Sequence, residues 1–181
     1  KKFLKKLICV SFIIVYFFQI KQVQSLVPYY YLPTTKNLER EAFSIGKSAY
    51  QLLYFGQYKQ SLNMAKLAVK INKNDEKLWL ILSEAQVANK LYKNALISLN
   101  KAQEINPNNS ETYILEGNIY LKNSKLQKAK TALKTALRIE SNNYKAIFQL
   151  GNILLMEKNY SEAIKLFDKS TKIKPDFWQA I

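Results

Sequence analysis

From residue 42 to residue 177 the apolar side chains fall in stripes three and four residues apart, broken at short intervals by polar turns. Such spacing buries one face of an α-helix and leaves the rest in water. The breaks are of two kinds. One is brief and polar, as at Asn89-Lys90 and Lys158-Asn159. The other carries Pro or Asn, as over 106–109, 141–143 and 174–176. Residues of that kind stop one helix and cap the next. The pattern predicts helices in pairs and an all-α fold.

The pairs repeat. Ile45, Trp79, Tyr113 and Ile147 each stand 34 residues after the last. The same offset relates Ala49, Ser83, Gly117 and Gly151, and likewise Tyr58, Tyr92, Leu126 and Tyr160. It relates Ser61, Ala95, Ala129 and Ala163, then Ala68, Ala102, Ala136 and Ser170, then Ile71, Ile105, Ile139 and Ile173, with no insertions. The small columns mark places where two helices approach closely. The large ones (Trp79 and Tyr113; Leu99, Leu133 and Phe167) fill the space beside them. One helix pair cannot bury both its faces, so neighbours must stack into a solenoid.

These columns resemble the tetratricopeptide repeat (TPR), a 34-residue helix-turn-helix with W-x2-L-G-x2-Y, then A-x3-F, then P. The matching residues are Trp79, Leu82 and Ser83; Gly117 and Tyr120; Leu150, Gly151 and Leu154; Ala163 and Phe167; Pro107 and Pro175. The resemblance implies four units, 42–75, 76–109, 110–143 and 144–177, with 178–181 opening a further helix. It implies a right-handed superhelical solenoid of antiparallel helix pairs. Unit one has Lys73 in place of the Pro and Gly46 inside its first helix; Glu116 stands where a Leu is usual, and Ser141 replaces a Pro. The end of unit four is expected to leave Leu154, Leu166 and Phe167 partly bare. The pentatricopeptide family, which reads RNA, resembles a 35-residue period instead.

In the TPR family the first helix of each unit lines a concave groove. The resemblance therefore directs three columns at a partner: Gly46, Leu80, Ile114 and Phe148; Tyr50, Glu84, Asn118 and Asn152; Leu53, Val87, Leu121 and Leu155. Chaperone-binding members resemble one another in a carboxylate clamp that needs Lys in the first column, and this chain has apolar residues there. What remains is an apolar groove with two amides, suited to an extended backbone or one face of a helix. The alternative is that Leu80, Ile114 and Phe148 only pack the inner helix layer.

The first 41 residues follow another pattern. Residues 1–6 read KKFLKK, and 7–20 form an apolar run of 14 residues. A basic start followed by an apolar stretch is the layout of a secretory signal. A membrane span needs about 20 apolar residues. This run reaches that length only with Lys5 and Lys6 snorkelling and Tyr29–Tyr31 at the far interface. Residues 1–21 are thus expected to be an uncleaved anchor or a cleaved signal, with a helix buried in a soluble core as a third option. The charge bias would hold the N-terminus in the cytoplasm. Residues 22–41 read as a connector, broken by Pro28 and Pro33, with Thr34 and Thr35 as plausible caps for the helix that follows.

Composition narrows the chemistry. The chain has no His and one Cys, which excludes a four-ligand Cys/His zinc site and an internal disulfide. No cofactor and no metal are expected, and no catalysis. Gly46-Lys47-Ser48 looks like the tail of a phosphate loop, but Glu41 stands where that motif needs Gly. The net charge is +15; without the five lysines of the N-terminal segment, 23 basic residues stand against 13 acidic, a balance of +10. Such a surface favours anionic partners. With only Arg40 and Arg138 as arginines, no specific nucleic-acid readout is expected.

The sequence thus points to a scaffold that binds a protein or peptide. The stretch Leu32–Leu53 with the apolar start is similar in arrangement to TPR proteins that assist photosystem I assembly in cyanobacteria and plastids. That implies an assembly factor for a membrane-associated complex, anchored by its N-terminal segment or exported after cleavage. A second reading makes the chain the repeat arm of a larger enzyme whose catalytic domain lies beyond residue 181. A third makes it a basic surface for nucleic acid or lipid. The chain opens on Lys1 and ends in mid-pattern, as a fragment would.

Overall fold

The computed structural model describes residues 35–176; the segments 1–34 and 177–181 lie outside the described residues, and with them the apolar N-terminal run and most of the connector. Eight helices and no strand occur among the described residues. They are α1 (Thr35–Tyr54), α2 (Tyr58–Ile71), α3 (Glu76–Ala88), α4 (Tyr92–Ile105), α5 (Ser110–Lys122), α6 (Leu126–Ile139), α7 (Tyr144–Met156) and α8 (Tyr160–Ile173). Thr35–Leu38, the opening turn of α1, belong to an N-terminal unit, and from Glu39 the helices make one compact unit. Residues 35–41, expected in the connector, are helical instead. They contain no Pro or Gly, so nothing local opposes a helix.

Each odd-numbered helix turns back on the even-numbered one after it, and each pair packs on the next. The turns inside the pairs share one geometry. Gly56, Lys90, Ser124 and Lys158, spaced 34 apart, have φ of 75°, 62°, 56° and 60°. The Leu91 amide donates to the Gln86 carbonyl at 2.8 Å and the Lys90 amide to the Val87 carbonyl at 2.9 Å. Those two bonds define a Schellman ending, which satisfies carbonyls the helix leaves free. Only the first unit uses Gly there, where a left-handed residue carries no Cβ penalty.

Between pairs, Asp75, Asn109 and Asn143 cap α3, α5 and α7, their side chains accepting from the amides of Lys77, Glu111 and Ala146. The same polar line stitches neighbouring units. Asn109 donates to Glu76 at 3.1 Å, Asn143 to Ser110 at 3.3 Å, and Lys145 pairs with Glu111 at 3.3 Å. Ser110 and Asn143 also donate to Glu140, at 2.6 and 2.8 Å, and these bonds hold its carboxyl below the usual range.

The core is a row of clusters, each crossing a unit boundary. Ala42, Ala49, Leu62 and Ala65 meet Leu78, Leu82 and Ala85. Ala95 and Leu99 meet Ile119. Ile114, Ala129 and Leu133 meet Ala146, Leu150 and Ile153. The small column works as the spacing implies. A Cβ on Gly117 would stand 2.9 Å from Leu133 Cγ, and one on Gly151 2.5 Å from the Phe167 ring. Leu154, Leu166 and Phe167 are half-buried, while Met156, Tyr160 and Ile164 are exposed. Gly46, Lys47 and Ser48 lie inside α1 and form no loop.

Candidate functional site

The first helices of units one to three enclose a hollow of about 330 Å³. Leu53 comes from α1; Glu84, Val87 and Ala88 from α3; Leu115, Asn118, Ile119 and Lys122 from α5; Tyr58, on α2, closes one side. Helical spacing explains the set. Residues 84, 87 and 88 lie on one face of α3, and 115, 118, 119 and 122 on one face of α5.

Of the twelve residues in the three columns that the resemblance directs at a partner, Leu53, Glu84, Val87 and Asn118 line this hollow. Tyr50 lies one turn before Leu53 on α1 and is 54% exposed. Asn152 is half-buried and donates to Gln149 at 3.4 Å. The first column turns inward. Ile114 is 2% exposed and sits in the cluster with Leu133 and Leu150. Phe148 is half-buried, its ring 5.4 Å from that of Phe167. Leu80 packs against the cluster of Ala95 and Leu99. For these three the structure supports packing of the inner layer. Their column sits one turn before the Tyr50 column, on the side of each helix that packs against its neighbours.

The sequence reading missed Tyr58, Ala88, Leu115, Ile119 and Lys122. Three of these carry a periodic signal: Tyr58 heads the Tyr58, Tyr92, Leu126 and Tyr160 column, and Tyr54, Ala88, Lys122 and Met156 form a 34-residue column at the last turn of each first helix. Tyr54 and Met156 in it are exposed.

Glu84 is the unusual group. Burial pushes its carboxyl up to about 6 from 4.5; the charge of Glu111 adds to the rise and that of Lys145 opposes it. Lys145 is itself paired with Glu111. Tyr58 and Lys122 are the remaining ionisable side chains of the hollow.

A second cleft, about 370 Å³, opens between α5 and α6 among Tyr113, Glu116, Tyr120, Lys128, Thr131 and Thr135. It shows what Glu116 does in a Leu column. Its carboxylate accepts from Gln103 at 3.0 Å and bonds the Tyr120 hydroxyl. Burial first, then Glu116, raises the Tyr120 pKa, and Lys128 Nζ stands 5.8 Å from the Tyr120 ring. These groups satisfy one another. Among the described residues no cluster of acidic or Cys side chains is arranged to hold a metal, and no helix is long and apolar enough to cross a membrane.

Four two-helix units of one length, closed by one kind of turn and sharing cores across their boundaries, define a helical-repeat solenoid. The sequence matches family models described as tetratricopeptide repeat over 76–109 and over 120–181. The chain belongs to the tetratricopeptide-repeat family. Solved structures agree on the fold. A thermophilic TPR protein of Thermus thermophilus is similar at 21% identity and a TM-score of 0.71, over 81% of this chain and 84% of that one. YrrB, a TPR protein with an unusual peptide-binding site, is similar at 22% and 0.61, over 77% and 72%. MamA is similar at 23% and 0.60, over 73% and 77%. No curated protein sequence matches the chain.

Proposed function

We propose that the chain is a protein–protein interaction scaffold that holds a peptide or subunit of a partner along the inner faces of α1, α3, α5 and α7, and carries out no chemistry of its own. The observation behind this is the hollow across three successive units, walled by Leu53, Val87, Ala88 and Leu115 and edged by Asn118. Apolar pockets with a few polar groups are the usual form of a binding site. Asn118 offers two donors and an acceptor to an extended backbone. The exposed Tyr50 and the 48% exposed Leu155 extend the same face toward the two ends. The peptide-binding site of the similar YrrB fits this reading.

The basic and apolar pattern of residues 1–21 supports a place beside a membrane, by an uncleaved anchor or after export. In that setting the scaffold acts as an assembly factor for a membrane-associated complex. The test captures partners from native membranes with the full chain and with a Tyr50→Glu, Asn118→Arg, Leu155→Glu variant. None of the three positions belongs to the buried core. The reading expects one protein bound by the parent and lost from a variant with unchanged circular dichroism. An unchanged capture overturns the groove.

A further inference from the structure

The hollow holds a half-buried carboxylate, Glu84. Among the described residues, no hydrogen bond or ion pair engages the Glu84 carboxylate; Glu111 on α5 and Lys145 on α7 act on it only through space. Lys145 is held by Glu111 at 3.3 Å. Tyr58 from α2 and Lys122 from α5 line the hollow, and α1 contributes only Leu53. A carboxylate among apolar walls loses water and gains nothing in return unless a donor reaches it.

We propose that this hollow takes a lysine or arginine side chain of the partner, its aliphatic stem along Leu53, Val87, Leu115 and Ile119 and its charged head on Glu84. The inference deepens the groove reading and rests on it. The walls are mainly apolar, which suits the methylene stem of a long basic side chain. The head then makes a charge-assisted bond, the strongest that a carboxylate accepts. A purely apolar side chain would bury Glu84 without a partner, and an acidic one, although Lys122 also lines the hollow, would set a second carboxylate against Glu84 among apolar walls. Asn118, on the same wall, is placed to hold the backbone on either side. The chain is +15 overall, so the cation is selected by this local contact and not by long-range attraction.

The carboxyl titrates at about 6, so at pH 5 only about one molecule in ten carries the charge. Binding of a basic side chain should therefore weaken about tenfold between pH 7.5 and pH 5. The experiment uses the full chain in mild detergent and a displayed library of random twelve-residue peptides. An enriched His-free peptide is then synthesised, and its binding followed by fluorescence anisotropy. Enriched peptides should carry Lys or Arg beside an apolar residue. Changing that basic residue to Met should weaken binding about tenfold or more to the parent, yet less than about twofold to a Glu84→Gln variant. The fall at pH 5 should vanish in the variant.

Enriched peptides without a basic residue, or an equal loss in parent and variant, overturn the inference. If binding survives Asn118→Arg, the groove reading falls with it. If Asn118→Arg abolishes binding while Glu84→Gln leaves it unchanged, only the basic-residue assignment fails. A library that enriches nothing overturns both.

Discussion

Changing Glu84 to Gln removes a charge that folding strips of water, and keeps the shape of the side chain. The carboxyl titrates at about 6 in the fold against an ordinary 4.5. A gap of about 1.5 pH units corresponds to roughly 2 kcal/mol of preference for the neutral form. Glu84 keeps some exposure, so about 1–2 kcal/mol is the reasonable figure. The folded pKa lies above the unfolded one, so the folded state holds the proton more tightly. The destabilisation is complete above about pH 6, shrinks as pH falls from 6 to 4.5, and is absent below 4.5. Urea unfolding of parent and variant across pH isolates this group, because every other carboxylate is common to both. The variant should be more stable by about 1–2 kcal/mol at pH 7.5, and the difference should close by pH 4. Equal stability at pH 7.5, or a difference that widens on acidification, refutes the account of Glu84.

Gly117→Ala sets a gain of about 1 kcal/mol in helix propensity against overpacking on the buried Leu133, and should lower stability by about 1–2 kcal/mol in urea unfolding. Gly151→Ala sets a Cβ 2.5 Å from the Phe167 ring, which itself packs against Phe148, and should destabilise by a similar amount in the same assay. Ser83 is wholly buried and its hydroxyl lacks a partner, so Ser83→Ala should add about 1 kcal/mol, read as a rise in Tm. Lys158→Gly relieves a left-handed residue at φ 60° and should be neutral or stabilising by up to about 1 kcal/mol, whereas the same change at Lys165, inside α8, should destabilise by about that much.

The repeat is legible in the sequence because each column has one structural duty in every unit. Ala95, Ala129 and Ala163 are buried in register, and Asp75, Asn109 and Asn143 cap three helices at one offset. The start of α1 is legible in part: the prolines mark where a helix cannot run and Thr34 and Thr35 are plausible caps for the one that follows, while the 34-residue columns begin only at Ile45 and so leave 35–41 without a repeat signal. The groove is legible only in part. Leu80, Ile114 and Phe148 share a column that the family pattern turns toward a partner, but Leu80 and Ile114 are drawn into clusters that cross a unit boundary and Phe148 packs against Phe167 of its own unit. Leu115 and Ile119 reach the hollow because α5 crosses α3 there, a relation between units that periodicity within a helix does not encode. Glu84 reads in the sequence as an ordinary groove or surface carboxylate, and its raised pKa depends on walls supplied by α1 and α5.

The direct test of the groove is photo-crosslinking in native membranes, with benzoylphenylalanine at Asn118 in the hollow or at Thr135 in the cleft between α5 and α6. Crosslinks to one partner from position 118 and none from position 135 are the result this account predicts. Crosslinks from position 135 alone would contradict it.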